Sequence, residues 1–185
     1  MIKIVSNKRK SFIKRNEIYF WTATINNWNR LLWDDSFKNV IIDSWQYLSD
    51  QQLIDVFAFV IMPNHLHSIW RANKPNGNES SQASFLKFTA HEFRKKLENE
   101  SKDSLNIYKV QAHNKAHEFW QRDPLGVPLF TFDVALQKLN YIHQNPLAKH
   151  WNLAQKPSDY KYSSARFYET GKSEFPFLKN LWKHF

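Results

Sequence analysis

The stretch from Val56 to Trp70 constrains this chain more than any other part of it. Val56-Phe57-Ala58-Phe59-Val60-Ile61 is an unbroken run of apolar, β-branched and aromatic residues, which reads as a buried strand. Pro63 and Asn64 mark a turn, and Leu66 to Trp70 reads as a second, antiparallel strand. Alternate side chains of a strand share a face, so His65 and His67 point one way while Leu66 points into the core. Two neutral imidazoles side by side on a rigid strand are a ready pair of metal ligands. The same spacing also occurs on ordinary polar strand faces. A metal site therefore needs a third ligand, and chemistry needs a reactive group.

Both are on offer in Leu139-Asn140-Tyr141-Ile142-His143-Gln144-Asn145-Pro146. Phe132, Ala135, Leu136, Leu139 and Ile142 form one apolar stripe at helical spacing. Thr131 or Asp133 caps the start of that helix, and Pro146 stops it by pushing the preceding residue out of the helical region. Tyr141 and Asn145 are one turn apart on a single face, which Lys138 shares. A tyrosine hydroxyl beside an amide, on the polar side of a helix, is free to approach the histidine pair. Read conservatively, Tyr141 is a half-buried core residue and Asn145 a helix C-cap.

The rest of the chain reads as one domain with few breaks, glycine occurring only three times. Residues 17 to 26 form a strand. Asp34 or Ser36 caps a helix with Phe37, Val40, Ile41, Ser44, Trp45 and Leu48 inward. Residues 54 to 62 and 66 to 71 make the hairpin, and Lys74-Pro75-Asn76-Gly77-Asn78 is a loop. Ser80 or Ser81 opens a second helix reaching about Glu98, with Phe85, Leu86, Thr89, Phe93 and Leu97 inward. Its other face carries Lys87, Arg94, Lys95 and Lys96, a solvated face or a groove wall for DNA. The stretch 99 to 126 is polar and irregular, read as one short helix with a late strand around Pro128 to Phe130. Strands followed by helices on one side give an α+β sandwich. The boundaries are a basic arm over 1–16, which holds Lys8, Arg9, Lys10, Lys14 and Arg15, a domain over 17–170 and a C-terminal tail over 171–185.

Composition points to a polyanionic partner. Lys and Arg number 26 against 17 Asp and Glu, a formal charge of +9, and such a surplus favours nucleic acid through counterion release. Eight Trp, seven Tyr and fifteen Phe exceed what binding alone requires, so many must fill the core. Trp21, Trp28, Trp33, Trp120 and Trp151 nevertheless lie near Asn, Arg, Lys or His, the combination on which single-stranded nucleic acid stacks its bases. Cysteine is absent, which removes disulfides and thiolate metal sites and fits a reducing cytoplasm. No apolar run is long enough to span a membrane, and the first residues are too polar for a signal peptide. The expected location is cytoplasmic, on nucleoid DNA.

Three segments carry a resemblance. Met62-Pro63-Asn64-His65-Leu66-His67, Tyr141-Ile142-His143-Gln144-Asn145-Pro146 and Pro157-Ser158-Asp159-Tyr160-Lys161-Tyr162-Ser163-Ser164 resemble, in order and spacing, the signature segments of the REP-associated tyrosine transposases. That family belongs to the single-tyrosine branch of the transposases with a His-hydrophobic-His (HUH) motif. Phe119-Trp120-Gln121-Arg122 and the opening strand Ile18 to Ile25 match more weakly, and the resemblance spans residues 17 to 170. The chain departs from the family pattern in three places. Leu147-Ala148-Lys149-His150-Trp151 stands where the family has Val-Arg-Ala-Gly-Leu, so His150 replaces the glycine of a left-handed helix end. Tyr162 replaces a Trp, and Phe20 and Trp21 stand where many relatives carry a histidine.

The resemblance implies a ferredoxin-like, RRM-like central antiparallel sheet with helices packed mainly on one face. It places the histidine pair on a middle strand and the tyrosine helix across it. It also implies a metal-dependent single-stranded DNA endonuclease and strand transferase. Tyr141 is then the nucleophile, and His65, His67 and Asn145 hold Mn²⁺ or Mg²⁺. Arg94, Trp120, Arg122 and Lys138 are the residues expected to contact DNA. Tyr108, Tyr160 and Tyr162 compete with Tyr141 for the nucleophilic role, but Tyr108 lies in the irregular stretch with no helical frame to aim it, and Tyr160 and Tyr162 follow Pro157 with no amide four residues on. His143 is expected to pack or to lie at the surface, the alternative being that it orients a group nearby. The expected partner is single-stranded DNA carrying a repeat hairpin, and the expected state a monomer, with a dimer as the alternative. Two other readings remain at this point: a non-catalytic basic protein of the same fold that binds single-stranded nucleic acid, and a metal-dependent phosphoesterase that uses water.

Overall fold

The hairpin lies inside a sheet. In the computed structural model, which describes residues 13–100, 102–112 and 115–185, β1 spans Ile18–Thr24, β2 Ile54–Ile61 and β3 His65–Ala72. The helix α1 (Asp35–Asp50) joins β1 to β2, and α2 (Ser81–Glu100) follows β3. Then come α3 (Lys102–Asn106), β4 (Lys109–Ala112), β5 (Lys115–His117), β6 (Leu125–Pro128), α4 (Phe132–Gln144) and α5 (Ala165–Thr170). The main sheet has the order β2-β3-β1-β6, antiparallel throughout, so β3 has a neighbour on each side. This is the split β-α-β arrangement expected of a ferredoxin-like sheet.

Strand periodicity sorts the core into two halves. Trp21, Ala23, Val56, Phe59, Leu66 and Trp70 face α1 and α2, where they pack with Trp45, Phe85 and Phe93. Phe20, Phe57, Ala58, Val60 and Ile69 face α4, where they pack with Ala135, Leu139 and Ile142. A bulge in β2 sets Phe57 and Ala58 on the same side. The two longest helices therefore do share one face, as expected, and α4 covers the other. Much of the aromatic content is spent here: Trp21 lies 4.9 Å from Trp70, and Trp45 stacks on Phe85 at 5.7 Å.

Local signals account for the helix ends. The Asp34 carboxylate accepts from the Ser36 N–H at 2.7 Å to open α1, and the Thr131 hydroxyl accepts from the Val134 N–H at 3.4 Å to open α4. After α4 the left-handed residue is Asn152, at φ 45°, rather than His150. Asparagine tolerates that conformation better than most side chains, so the chain turns two residues later than the family glycine implies.

Two elements differ from the sequence reading. The β4–β5 hairpin was not expected, because strands this short and polar show no apolar alternation. The late strand is β6, ending at Pro128 where the expectation began it. Proline is tolerated there because β6 is an edge. The other edge, β2, is covered. Val60 bridges Ser163, and Val56 bridges Leu178, so the C-terminal stretch 171–185 packs on the sheet with Phe177 and Leu181 buried. Most of the basic arm lies outside the described residues; Lys14 and Arg15 are exposed. No helix among the described residues is long and apolar enough to cross a membrane.

Asp55 ties these layers together. It is buried, faces Arg71 across the hairpin at 2.5 Å, and pairs with Lys179 of the C-terminal stretch. Burial alone would raise its carboxyl, but hydrogen bonds from Lys179, Arg71 and Asn73 outweigh that and hold it below the usual carboxylate range. Asp55→Ala leaves two cations without their partner and should lower unfolding stability by about 1.5–3 kcal/mol. Urea unfolding at neutral pH measures this directly.

Candidate active site

His65 and His67 come from the same side of β3, as the two-residue period requires, with ring centroids 4.8 Å apart. What holds each ring is a hydrogen bond at Nδ1. The Asn64 side chain donates from Nδ2 to the Trp28 carbonyl at 3.3 Å, so its Oδ1 is turned to His65 Nδ1, 2.7 Å away. An amide oxygen only accepts, so His65 carries its proton on Nδ1 and presents Nε2 bare. His67 Nδ1 lies 2.7 Å from the Thr22 hydroxyl, its direct cross-strand neighbour on β1. His67 Nε2 is buried with no hydrogen-bond partner among the described residues. The tautomer with the proton on Nδ1 avoids stranding a buried N–H, and it too leaves Nε2 as a lone pair. Metal-bound histidines are characteristically held this way, by a hydrogen bond at the far nitrogen.

Burial lowers the pKa of His65 to about 4, with the Asn145 side chain raising it in part and His150 lowering it. Burial also takes His67 to about 3, with His65 and Lys138 adding repulsion. Both rings are thus neutral at pH 7, the state in which imidazole coordinates a cation. Phe20 stacks on His67 at 5.3 Å and supplies an apolar wall where many relatives of the resembled family carry a histidine.

The helix α4 crosses this face of the sheet and brings the second motif to the pair. The Tyr141 ring stands 5.2 Å from His67 and 5.9 Å from Phe20, and it is 50% exposed. Asn145 donates from Nδ2 to the Tyr141 carbonyl at 3.2 Å and lies in hydrogen-bonding reach of His65. Lys138, one turn earlier, sits 5.0 Å over the Phe20 ring with its charge felt by His67. No three of His, Cys, Asp or Glu gather at one point among the described residues. What the site offers a cation is two imidazole nitrogens and an amide. That donor set, with His67 Nε2 unpartnered, suits a divalent ion that keeps waters in its shell.

The third motif works as a brace. His143 is buried, its Nε2 2.9 Å from the Ser164 hydroxyl, which also accepts from the Phe59 N–H at 3.0 Å. Tyr160 donates to the Ile61 carbonyl at 2.8 Å. The segment therefore pins α4 to β2, beside the turn that leads into the histidines. Of the roles expected for His143, the surface one is excluded by its burial, and packing is the one seen.

Other expected residues scatter. Trp120 is 7% exposed, with its indole N–H donated to Thr89, so it is a core residue and unavailable for stacking; Trp21 is fully buried. Arg94 lies on α2, on the opposite side of the sheet from the histidines, and is paired with Glu98 at 3.4 Å. Lys87 and Lys96 are likewise paired, with Glu79 and Glu100, which makes that helix face a solvated, charge-balanced one. Arg122 is exposed and held by Glu118 at 3.1 Å. Of the four residues expected to contact DNA, only Lys138 stands beside the histidine pair. Tyr108, Tyr160 and Tyr162 are buried or nearly so, and burial raises all three phenols, Tyr108 and Tyr162 to about 12. Tyr141 is the exposed tyrosine at the pair. Thr22 and Asn64 escaped the sequence reading as partners of the rings, because strand register and amide orientation leave no mark in sequence.

His65, His67 and His143 all have folded values near 3 to 4 against 6.5 when free. Between those limits the unfolded chain binds more protons than the folded one. Their contribution to stability is therefore fully present above 6.5 and is lost progressively as pH falls toward about 4. The urea midpoint should drop between about pH 7 and pH 5, and histidine NMR should show these three rings neutral where free histidine titrates. A midpoint constant over that interval would contradict the assignment.

No protein-family model matches the chain, and no curated protein matches it. Among solved structures, that of a REP-associated tyrosine transposase bound to a REP hairpin is similar over 92% of this chain and 90% of that one, with a TM-score of 0.57 and 15% sequence identity. At that identity the likeness is one of fold: an antiparallel four-stranded sheet with its helices, shared along nearly the whole of both chains.

Proposed function

We propose that this chain is a metal-dependent single-stranded DNA endonuclease and strand transferase, a transposase that works through a 5′-phosphotyrosine link on Tyr141. The observation that carries the reading is convergence. An exposed tyrosine on one element has its ring 5.2 Å from that of a histidine whose Nε2 has no partner among the described residues, with Asn145 beside the second histidine. A pure binding protein has no use for that set. A water-using phosphoesterase has no use for an exposed tyrosine beside the histidine pair. The fold-level likeness to a transposase bound to a hairpin supports the same direction.

A divalent ion, Mn²⁺ or Mg²⁺, held by His65, His67 and Asn145 supplies Lewis acidity to a phosphate oxygen when bound. The chain's own residues do the rest. Asn64 and Thr22 hold the two rings in one tautomer. Tyr141, fixed on a helix braced by His143, is aimed along one direction at phosphorus. Its oxygen bonds to phosphorus, the bond from phosphorus to the 3′-oxygen breaks, and the phenolic proton is replaced at the departing 3′-hydroxyl through solvent. The new link conserves the phosphodiester, so another 3′-hydroxyl can reverse the step and join strands without ATP. Lys138 adds a positive charge beside the phosphate.

The test is incubation with single-stranded hairpin oligonucleotides and Mn²⁺, followed by a denaturing gel. Wild type should give a protein–DNA adduct, and Tyr141→Phe should give none. Because Tyr141 is half exposed, that variant should change stability by less than about 0.5 kcal/mol. His65→Ala and His67→Ala should abolish cleavage while leaving DNA affinity largely intact, since phosphates and stacking supply it. An adduct persisting in the Phe variant would overturn the assignment.

The preferred DNA is single-stranded with a hairpin, because stacking requires unstacked bases. Affinity should fall steeply between low and physiological salt. Equal binding to blunt duplex, measured by fluorescence anisotropy, would count against it.

A further inference from the structure

The turn after β1 holds a backbone conformation that asks for an explanation. Asn27 and Trp28 follow one another at φ 55° and 57°. The left-handed region is uncommon for any side chain and unfavourable for one as bulky as tryptophan. The fold enforces it: the Trp28 N–H donates to the Ile25 carbonyl at 2.9 Å, and the Trp28 carbonyl accepts from Asn64. Strain held in place by surrounding bonds is a recurrent mark of functional sites.

The strain presents the ring outward. Trp28 is 59% exposed, yet its indole lies 6.2 Å from His65. Trp33 is 58% exposed. Between Trp33 and Trp151 lies Arg30, its guanidinium 5.9 Å from one ring and 5.7 Å from the other. Trp151 is itself 6.1 Å from His65, with the His150 ring 5.4 Å away. Two indoles thus border His65, and the Arg30 guanidinium links one of them, Trp151, to a third, Trp33. None of this is core packing for Trp28 or Trp33, and exposed aromatics interleaved with cations match the chemistry of base stacking.

The order of groups gives the shelf a direction. Tyr141 stands against His67, and Trp28 and Trp151 stand against His65. In phosphoryl transfer the entering and leaving oxygens lie in line on opposite sides of phosphorus. If Tyr141 enters from the His67 side, the 3′-oxygen leaves toward His65. We infer that Trp28, Arg30, Trp33 and Trp151 form a stacking shelf for an unpaired DNA base on the 5′ side of the cleaved phosphate, in the nucleotide that keeps the 3′-hydroxyl. The direction rests on the proposed role of Tyr141; the shelf as a binding site does not.

The test uses the full chain carrying Tyr141→Phe, so that binding is read without turnover, and a labelled hairpin oligodeoxynucleotide with unpaired flanks. Trp28→Asn keeps a residue at ease with positive φ, so it should fold as well as the parent, checked by thermal melting. It should still bind about tenfold more weakly. Trp33→Ala and Trp151→Leu should weaken binding in the same way, and Trp28→Phe should restore most of the affinity. An abasic nucleotide immediately 5′ of the cleavage position should cost the parent about the same factor and cost Trp28→Asn little more, because the two changes remove one contact.

Folded shelf variants that bind like the parent would overturn the proposal, even if the covalent adduct forms with the wild-type chain. Loss of affinity in the shelf variants without any adduct would uphold the shelf and sink the role of Tyr141. Coupling to an abasic nucleotide on the 3′ side instead would refute the stated direction.

Discussion

Everything at the candidate site depends on β3 lying in the middle of the sheet. An inner strand has its backbone fixed on both sides, and its two-residue period then leaves no choice about which side chains go where. Leu66 and Trp70 go to the face covered by α1 and α2, and His65 and His67 go to the other. A one-residue slip would bury both imidazoles under α1 and α2 and strand Leu66 beside Tyr141. The apolar content of β2 and β3 opposes that slip, so the packing that stabilises the fold also sets the register of the chemistry.

A fixed strand places the rings but does not choose their protons. That choice is made by neighbours outside the histidine motif itself. Thr22 reaches His67 across the strand pair, and Asn64 reaches His65 from the turn. Asn64 is in turn oriented by a backbone carbonyl in the strained loop that carries Trp28. The loop, the amide and the ring form one chain of constraints, so the aromatic border and the tautomer of His65 are set together. On the other side, the His143–Ser164–Phe59 hydrogen bonds hold α4 to the sheet, which fixes where Tyr141 can stand. The three sequence motifs are therefore neighbours: one carries the rings, one the tyrosine and the amide, and one the brace.

Much of this was legible in the sequence. The hairpin, the inner faces of α1 and α2, and the helix bearing Tyr141 all announce themselves through apolar period and capping residues, signals that are local. The β4–β5 hairpin is not legible because its strands are short and polar and make little use of the core. Tryptophans near cations looked alike in sequence, yet Trp120 is buried against Thr89 while Trp28 and Trp33 are open. Which side of a strand or loop a ring takes depends on tertiary packing. The contacts of Thr22, Asn64 and Arg30 are likewise products of register and loop path. The surplus of positive charge holds as a total, but on α2 much of it is paired with glutamates, while Lys138 acts directly on His67 and Arg30 lies beside the Trp151 ring.

The central claim is that His65, His67, Asn145 and Tyr141 make one cation-ready site. The most direct measurement is NMR of the histidine and tyrosine rings during titration with small amounts of Mn²⁺, whose paramagnetism broadens the nuclei nearest to it. The ring signals of His65 and His67 should disappear first and those of Tyr141 next, while His91, His117 and His184 keep their widths. Broadening that begins at those other histidines, or that spreads evenly over the molecule, would contradict the site.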